Sequence, residues 1–129
     1  MTAPSVSIDE IRDGIRNLCA QYPESYWRKT DEERSYPEDF VKALTDGGWL
    51  SVLIPQEYGG QGLGVIHAST ILEEINRSGG FAAPAHAQMY TMGALLRHGS
   101  SEQKKRWLPG IASGKIRLQA FGVTEPNAG

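Results

Sequence analysis

The groups best suited to polar chemistry close the chain, in Phe121-Gly122-Val123-Thr124-Glu125-Pro126-Asn127-Ala128-Gly129. A threonine hydroxyl beside unpaired backbone N–H groups offers directed donors to a polar ligand, and glycine lets backbone approach a ligand closely. Ordinary strand-to-turn punctuation uses the same residues, so both readings stand. His86, Met89 and Tyr90 fall in a segment nearly free of charge. That segment reads either as packed core with a satisfied histidine or as the wall of an apolar cavity. The sequence holds no credible Ser/His/Asp set and no Cys/His metal spacing, and the neighbouring pairs Glu32-Glu33 and Glu73-Glu74 point apart rather than forming an acid/base couple. Gly59-Gly60-Gln61-Gly62-Leu63-Gly64 lacks the Lys-Ser/Thr of a phosphate loop, and dinucleotide spacing fails at Val65. Its glycines read instead as a tight turn between packed helices.

The elements that must position these residues follow from periodicity and punctuation. Ser7 and Glu10 form a capping box for a helix over 7–21, with Ile8, Ile11, Ile15, Leu18 and Cys19 on its apolar stripe. The charged stretch 23–35 reads as a surface linker anchored by Trp27. Pro37 suits the first turn of a second helix carrying Phe40, Val41 and Leu44, which Gly47-Gly48 stops. A short apolar run, 49–54, ends at Pro55. The third helix, 65–77, buries Ala68, Ile71, Leu72 and Ile75 and turns Glu73, Glu74 and Arg77 outward. The fourth, 84–98, has too little charge for a wide solvent face and is expected to be buried on most sides. Ser100 and Gln103 form a second box opening a short basic helix through Trp107, with Pro109-Gly110 and Ser113-Gly114 punctuating a last turn. Residues 115–124 alternate as a strand, with Ile116, Leu118 and Ala120 on one face and Arg117, Gln119, Phe121 and Val123 on the other; Pro126 ends it. The fold class is therefore mainly α: a helical bundle of about five helices over 1–114, then the first strand and loop of a truncated β-domain over 115–129. A lone strand leaves its backbone groups without partners, so its edge is an expected site of self-association.

Composition narrows the setting. The chain has 129 residues and a formal net charge of −2, with Lys104-Lys105-Arg106 as its longest basic run, a solvated helix face rather than a nucleic-acid site. One cysteine excludes an intrachain disulfide. No apolar stretch approaches the ~18 residues of a membrane span, and the N-terminus lacks a signal peptide's basic start. A soluble, reducing, cytoplasmic setting is expected.

Several blocks, taken in order, resemble the N-terminal part of the acyl-CoA dehydrogenase family of flavoproteins. They are Pro37 to Phe40, the run from Ile54-Pro55-Gln56-Glu57-Tyr58 through Gly64, Leu72-Glu73-Glu74-Ile75, the run from Gly99-Ser100 through Trp107-Leu108-Pro109, and the closing block with Thr124-Glu125-Pro126. The resemblance spans 36–129. It implies a homotetramer of helical, β and helical domains that desaturates an acyl-CoA thioester between its α and β carbons. A glutamate of the C-terminal domain would take the α proton, FAD the β hydride, and an electron-transfer flavoprotein or other acceptor would reoxidise the flavin. By position, Val123 and Thr124 would give backbone N–H groups to the flavin, with the Thr124 hydroxyl at its N5 edge. Phe121 would pack beside the ring and Gly129 would allow close approach. Met89, Tyr90 and His86 would line the acyl pocket, a polar His86 disfavouring a very long straight chain. No residue of this chain matches the catalytic base, so as 129 residues it is expected to show no dehydrogenase activity and little FAD affinity, as a fragment or a truncated gene product. The alternative is a non-catalytic helical module, or remnant of the scaffold, that binds a partner through its strand or apolar helix.

Overall fold

The computed structural model describes residues 6–129. The opening segment 1–5, on which the reading of the N-terminus rested, lies outside the described residues. Six α-helices form among the described residues: α1 (Ile8–Cys19), α2 (Glu24–Glu32), α3 (Glu38–Asp46), α4 (Val65–Arg77), α5 (Ala83–His98) and α6 (Ser101–Ala112). The mainly helical class is as expected.

The helix starts follow their caps. Ser7 Oγ accepts from the Glu10 N–H at 3.1 Å while Glu10 receives the Ser7 N–H at 2.7 Å, and Ser100 and Gln103 repeat the exchange at α6. At α4 a histidine takes this part. His67 Nδ1 accepts the Gly64 N–H at 3.3 Å, and its Nε2 lies 3.1 Å from the Val6 carbonyl oxygen. That contact also brings the start of α1 beside the start of α4, so the two helices run parallel.

The α1/α4 seam corrects the expectation for Glu74. Its side chain is only 1% exposed, and it faces α1, not solvent. Arg16 donates to it through Nε at 2.9 Å and Nη2 at 3.1 Å, and Arg12 through Nη1 at 2.5 Å, while a second Arg12 nitrogen reaches Glu73 at 3.0 Å. Hydrogen bonds from Arg16 and then Arg12 hold the Glu74 carboxyl below its usual range, against burial that pushes it up. A buried carboxylate persists when cationic donors engage both of its oxygens in this way. Leu72, expected in the stripe of α4, is only half-buried.

The stretch 23–35, expected as a linker, contains the helix Glu24–Glu32. Pro23 leads α2, and its carbonyl accepts the Tyr26 N–H at 2.9 Å. Tyr22, Tyr26, Trp27 and Phe40 then pack edge to face, with ring centroids 4.8 to 5.2 Å apart. No residue of α2 is fully buried, so no apolar stripe announced it. Arg28–Glu24 and Lys29–Glu33 pairs one turn apart support its outer face.

The core gathers Ile11, Ile15, Phe40, Val41, Leu44, Ile71 and Ile75, and a second cluster joins Ile54, Met92, Leu108 and Ile111. Trp49 sits against two glycines: a Cβ at Gly14 would lie 2.5 Å from its Cη2, and one at Gly47 2.6 Å from its Nε1. The glycine-rich loop folds back on the apolar run before it. Gln61, Gly62 and Leu63 donate backbone N–H groups to the Ser51, Ile54 and Val52 carbonyls, and Gly59 and Gly60 donate to Gln56 and Pro55. A Cβ at Gly60 would stand 2.1 Å from the Ile54 carbonyl oxygen, so the turn requires glycine there. With these amides engaged, the loop has none to offer a phosphate.

Two further expectations change. The last helix does not stop at Trp107 but runs through Pro109 to Ala112, held by buried Leu108 and Ile111 on one face. Residues 115–124 form no strand; the only β-type pairing among the described residues is an isolated bridge between Glu125 and Ala128. The alternating pattern is present, but a strand exists only when a neighbour completes its ladder.

Candidate functional site

Although unpaired, the closing segment has a defined path across the bundle. Arg117 Nη1 donates to Thr45 Oγ1 of α3 at 3.0 Å, and Gln119 Nε2 donates to the Pro84 carbonyl at the start of α5 at 3.3 Å. Ile116 and Leu118 pack against the cluster of Met92, Leu108 and Ile111. Beyond Gln119 the Phe121 ring meets Tyr90 edge-on, 5.6 Å between centroids and 70° between planes. The segment thus touches α3, the start of α5 and, through Phe121, the middle of α5. Arg117 and Gln119 are its straps, a role that alternation alone did not distinguish from that of any solvent-facing residue.

α5 has two unlike faces. Pro84, Ala85, Gln88, Met89 and Met92 are buried against the bundle. His86, Tyr90 and Arg97 are exposed on the other side, with Ala87, Gly93 and Ala94 between them. The expectation of a helix covered on most sides is thus met only in part: His86, Tyr90, Arg97 and His98 are exposed, while most other positions are buried or half-buried. His86 and Tyr90 stack edge to face at 5.1 Å, so His86, Tyr90 and Phe121 form one continuous aromatic row. Met89 does not join it; it is 5% exposed and lies in the core behind the row.

Val123 is 63% exposed and Thr124 is also exposed. Among the described residues no hydrogen bond engages the N–H groups of Phe121 through Thr124 or the Thr124 hydroxyl. A Cβ built at Gly122 or Gly129 would meet nothing within 4 Å. The site therefore combines free amide and hydroxyl donors, an adjacent aromatic ring and open space. Those features fit the polar edge of a planar heterocycle such as a flavin, next to an apolar helix wall.

The fold belongs to a known class. The family model "Acyl-CoA dehydrogenase, N-terminal domain" matches residues 7–115, and the chain belongs to that family. Among its curated relatives, the probable acyl-CoA dehydrogenase FadE25 of Mycobacterium tuberculosis (strain ATCC 25618 / H37Rv) is 36% identical over 123 residues, covering 94% of this chain and 31% of the relative. Acyl-CoA dehydrogenase FadE12 of the same strain is 32% identical, covering 92% and 31%. The mitochondrial isovaleryl-CoA dehydrogenase of Solanum tuberosum is 31% identical, covering 97% and 32%. The chain thus spans about a third of the length of the curated relatives it matches. Among the described residues, no helix is long and apolar enough to cross a membrane and no cluster of metal ligands occurs.

Proposed function

We propose that the chain is the N-terminal part of an FAD-dependent acyl-CoA dehydrogenase, in which the outer face of α5 forms one wall of the acyl site and 121–129 meets the flavin. The observation that carries this reading is the uncovered row His86–Tyr90–Phe121, leading to the unengaged donors of Val123 and Thr124. When bound, the flavin would supply the two-electron acceptor for the desaturation of the acyl thioester. The Val123 and Thr124 amides and the Thr124 hydroxyl would donate to its polar edge as fixed dipoles that need no reorganisation when charge develops. Phe121 would shield that edge from water, and Gly129 would let the backbone come close.

Tyr90 and His86 would contact the acyl chain, each buried methylene contributing about 0.8 kcal/mol. Met89 would act from behind, seating α5 rather than touching substrate. No residue of the chain is proposed as the catalytic base. An electron-transfer flavoprotein or similar acceptor, a homotetrameric assembly and a cytoplasmic setting complete the reading; the buried free thiol of Cys19 suits a reducing compartment. The test is the chain-length profile of the intact gene product carrying His86→Ala or Tyr90→Ala. We expect the preferred acyl length to shift and KM for the best wild-type substrate to rise about tenfold. Unchanged profiles in both variants would remove α5 from the acyl site.

A further inference from the structure

We infer that His67 is a proton-operated latch, fastening the start of α1 to the start of α4 and releasing it when the imidazole is protonated. The inference is independent of the acyl-CoA reading. Two bonds on one ring carry it: Nδ1 accepts the Gly64 N–H at 3.3 Å, and Nε2 lies 3.1 Å from the carbonyl oxygen of Val6, sixty-one positions earlier. An amide N–H can only donate and a carbonyl can only accept, so these partners fix the ring as neutral, with its hydrogen on Nε2. His67 thus does for α4 what Glu10 and Gln103 do for α1 and α6, and in addition reaches a second element.

The contact continues into the cap of α1. The Val6 carbonyl and the Ser7 N–H belong to one peptide unit, whose oxygen faces His67 and whose N–H donates to the Glu10 carboxylate at 2.7 Å. A chain of hydrogen bonds therefore runs from the cap of α4 through the imidazole and one peptide to the first turn of α1, and links in such a chain polarise one another. The half-buried Val6 side chain packs on the core at the same place. At the other end of the seam Arg12 and Arg16 grip Glu74. The two helices are fastened twice, by a histidine at one end and by guanidinium–carboxylate pairs at the other.

The two fasteners answer to different pH ranges. Imidazoles change charge between about pH 5 and 8. The Nε2–H donates to Val6 in either state, but protonation turns Nδ1 from acceptor into donor, facing the Gly64 N–H, and sets a positive charge at the positive end of the α4 dipole. The charges that surround the ring do not supply the lost acceptor. The first turn of α1 brings Asp9 and Glu10, with Glu10 engaged by Ser7; the first turn of α4 brings no acid; Glu57 is the one charged residue in 47–66; and Arg12, the first cation of α1, is held by Glu73 and Glu74. The α1 carboxylates attract a cationic ring toward the Val6 side, to which it is already bonded. Among the described residues the Gly64 N–H has no other acceptor, so the cationic ring turns away and Val6 is freed with it. Hydrogen bonds from Arg16 and Arg12 hold the Glu74 carboxyl below its usual range, so the far end of the seam stays closed while the near end opens.

The test is backbone nitrogen relaxation of the isotopically labelled 129-residue chain at pH 8 and pH 5, with the ring-nitrogen spectrum of His67 recorded alongside. At pH 5 Glu10 stays ionised, because the Ser7 backbone and hydroxyl bonds hold its carboxyl below the usual range. We expect the order parameters of Ser7 and Ile8 to fall from about 0.85 at pH 8 to below about 0.6 at pH 5, while those of Arg16 and Glu74 hold. His67→Gln, whose amide oxygen can take the Gly64 N–H as Gln103 takes that of Ser100 and does not titrate, should abolish the step; His86→Gln and His98→Gln should keep it. A wild-type chain without the step, or a step that survives in His67→Gln, overturns the inference. So does a ring that carries its hydrogen on Nδ1 at pH 8, a result that decides the matter whether or not the variant folds.

Discussion

Glu74 and Arg34 are residues whose surroundings contradict their usual habits, and both give measurable consequences. The Glu74 carboxyl is buried and still ionised, because Arg16 and Arg12 across the α1/α4 seam hold its pKa down. A depressed folded-state pKa means that the stabilisation is present above the unfolded value of about 4.3. It is lost as pH falls through the still lower folded value. Glu74→Gln should therefore lower the thermal midpoint at pH 7 and flatten the fall in stability on the acid side, read from melting curves between pH 3 and pH 7. A variant as acid-sensitive as the wild type would place that sensitivity elsewhere. Arg34 adopts φ of 50° after the last turn of α2, where the Ser35 N–H reaches back to the Thr30 carbonyl at 3.0 Å. Glycine holds that left-handed conformation at lower cost. Arg34→Gly should gain about 0.5–1 kcal/mol in urea denaturation, the relieved strain exceeding the added freedom of the unfolded chain. A loss of stability would show that the arginine side chain is itself a packing element.

At the scale of elements, helices with strong local signals were legible and those held by distant partners were not. α4 runs Val65–Arg77, as its apolar spacing predicts, and the boxes Ser7/Glu10 and Ser100/Gln103 open α1 and α6 where their spacing puts them. α2 escaped notice because it rests on an aromatic cluster with Phe40, fourteen positions past Tyr26, instead of on a stripe of its own. The inward turn of Glu74 depends on arginines about sixty positions away, which periodicity within α4 cannot reveal. Residues 115–124 carried a true alternation whose meaning depends on a neighbour, and here the segment is strapped to α3 and α5 by Arg117 and Gln119. Of the candidate site, His86, Tyr90 and Phe121 meet as a row, while Met89, about 100° around the helix from Tyr90, turns into the core. The seating of α1 on Trp49 makes a prediction at this scale. Gly14→Ala forces the indole or α1 to move and should cost about 1–3 kcal/mol by chemical denaturation; a cost near that of an exposed helix Gly→Ala change, which is favourable, would contradict that packing.

The molecule as a whole is a helical bundle whose larger core cluster is shared by α1, α3 and α4, and whose helix α5 exposes small and aromatic residues on one face, beside free amide donors. That asymmetry is what an N-terminal domain needs if a flavin and an acyl chain are to lie against it. It accords with membership of the acyl-CoA dehydrogenase family and with relatives about three times this chain's length. We propose above that this face serves flavin-dependent acyl-CoA desaturation. Its most direct test is the visible absorption spectrum of the protein purified from its intact gene, before and after anaerobic addition of a series of acyl-CoA thioesters. We expect a bound flavin whose absorbance is bleached by at least one acyl-CoA, with the bleaching weakened by Thr124→Val. A flavin-free protein, or a flavin that no acyl-CoA in the series reduces, would contradict it.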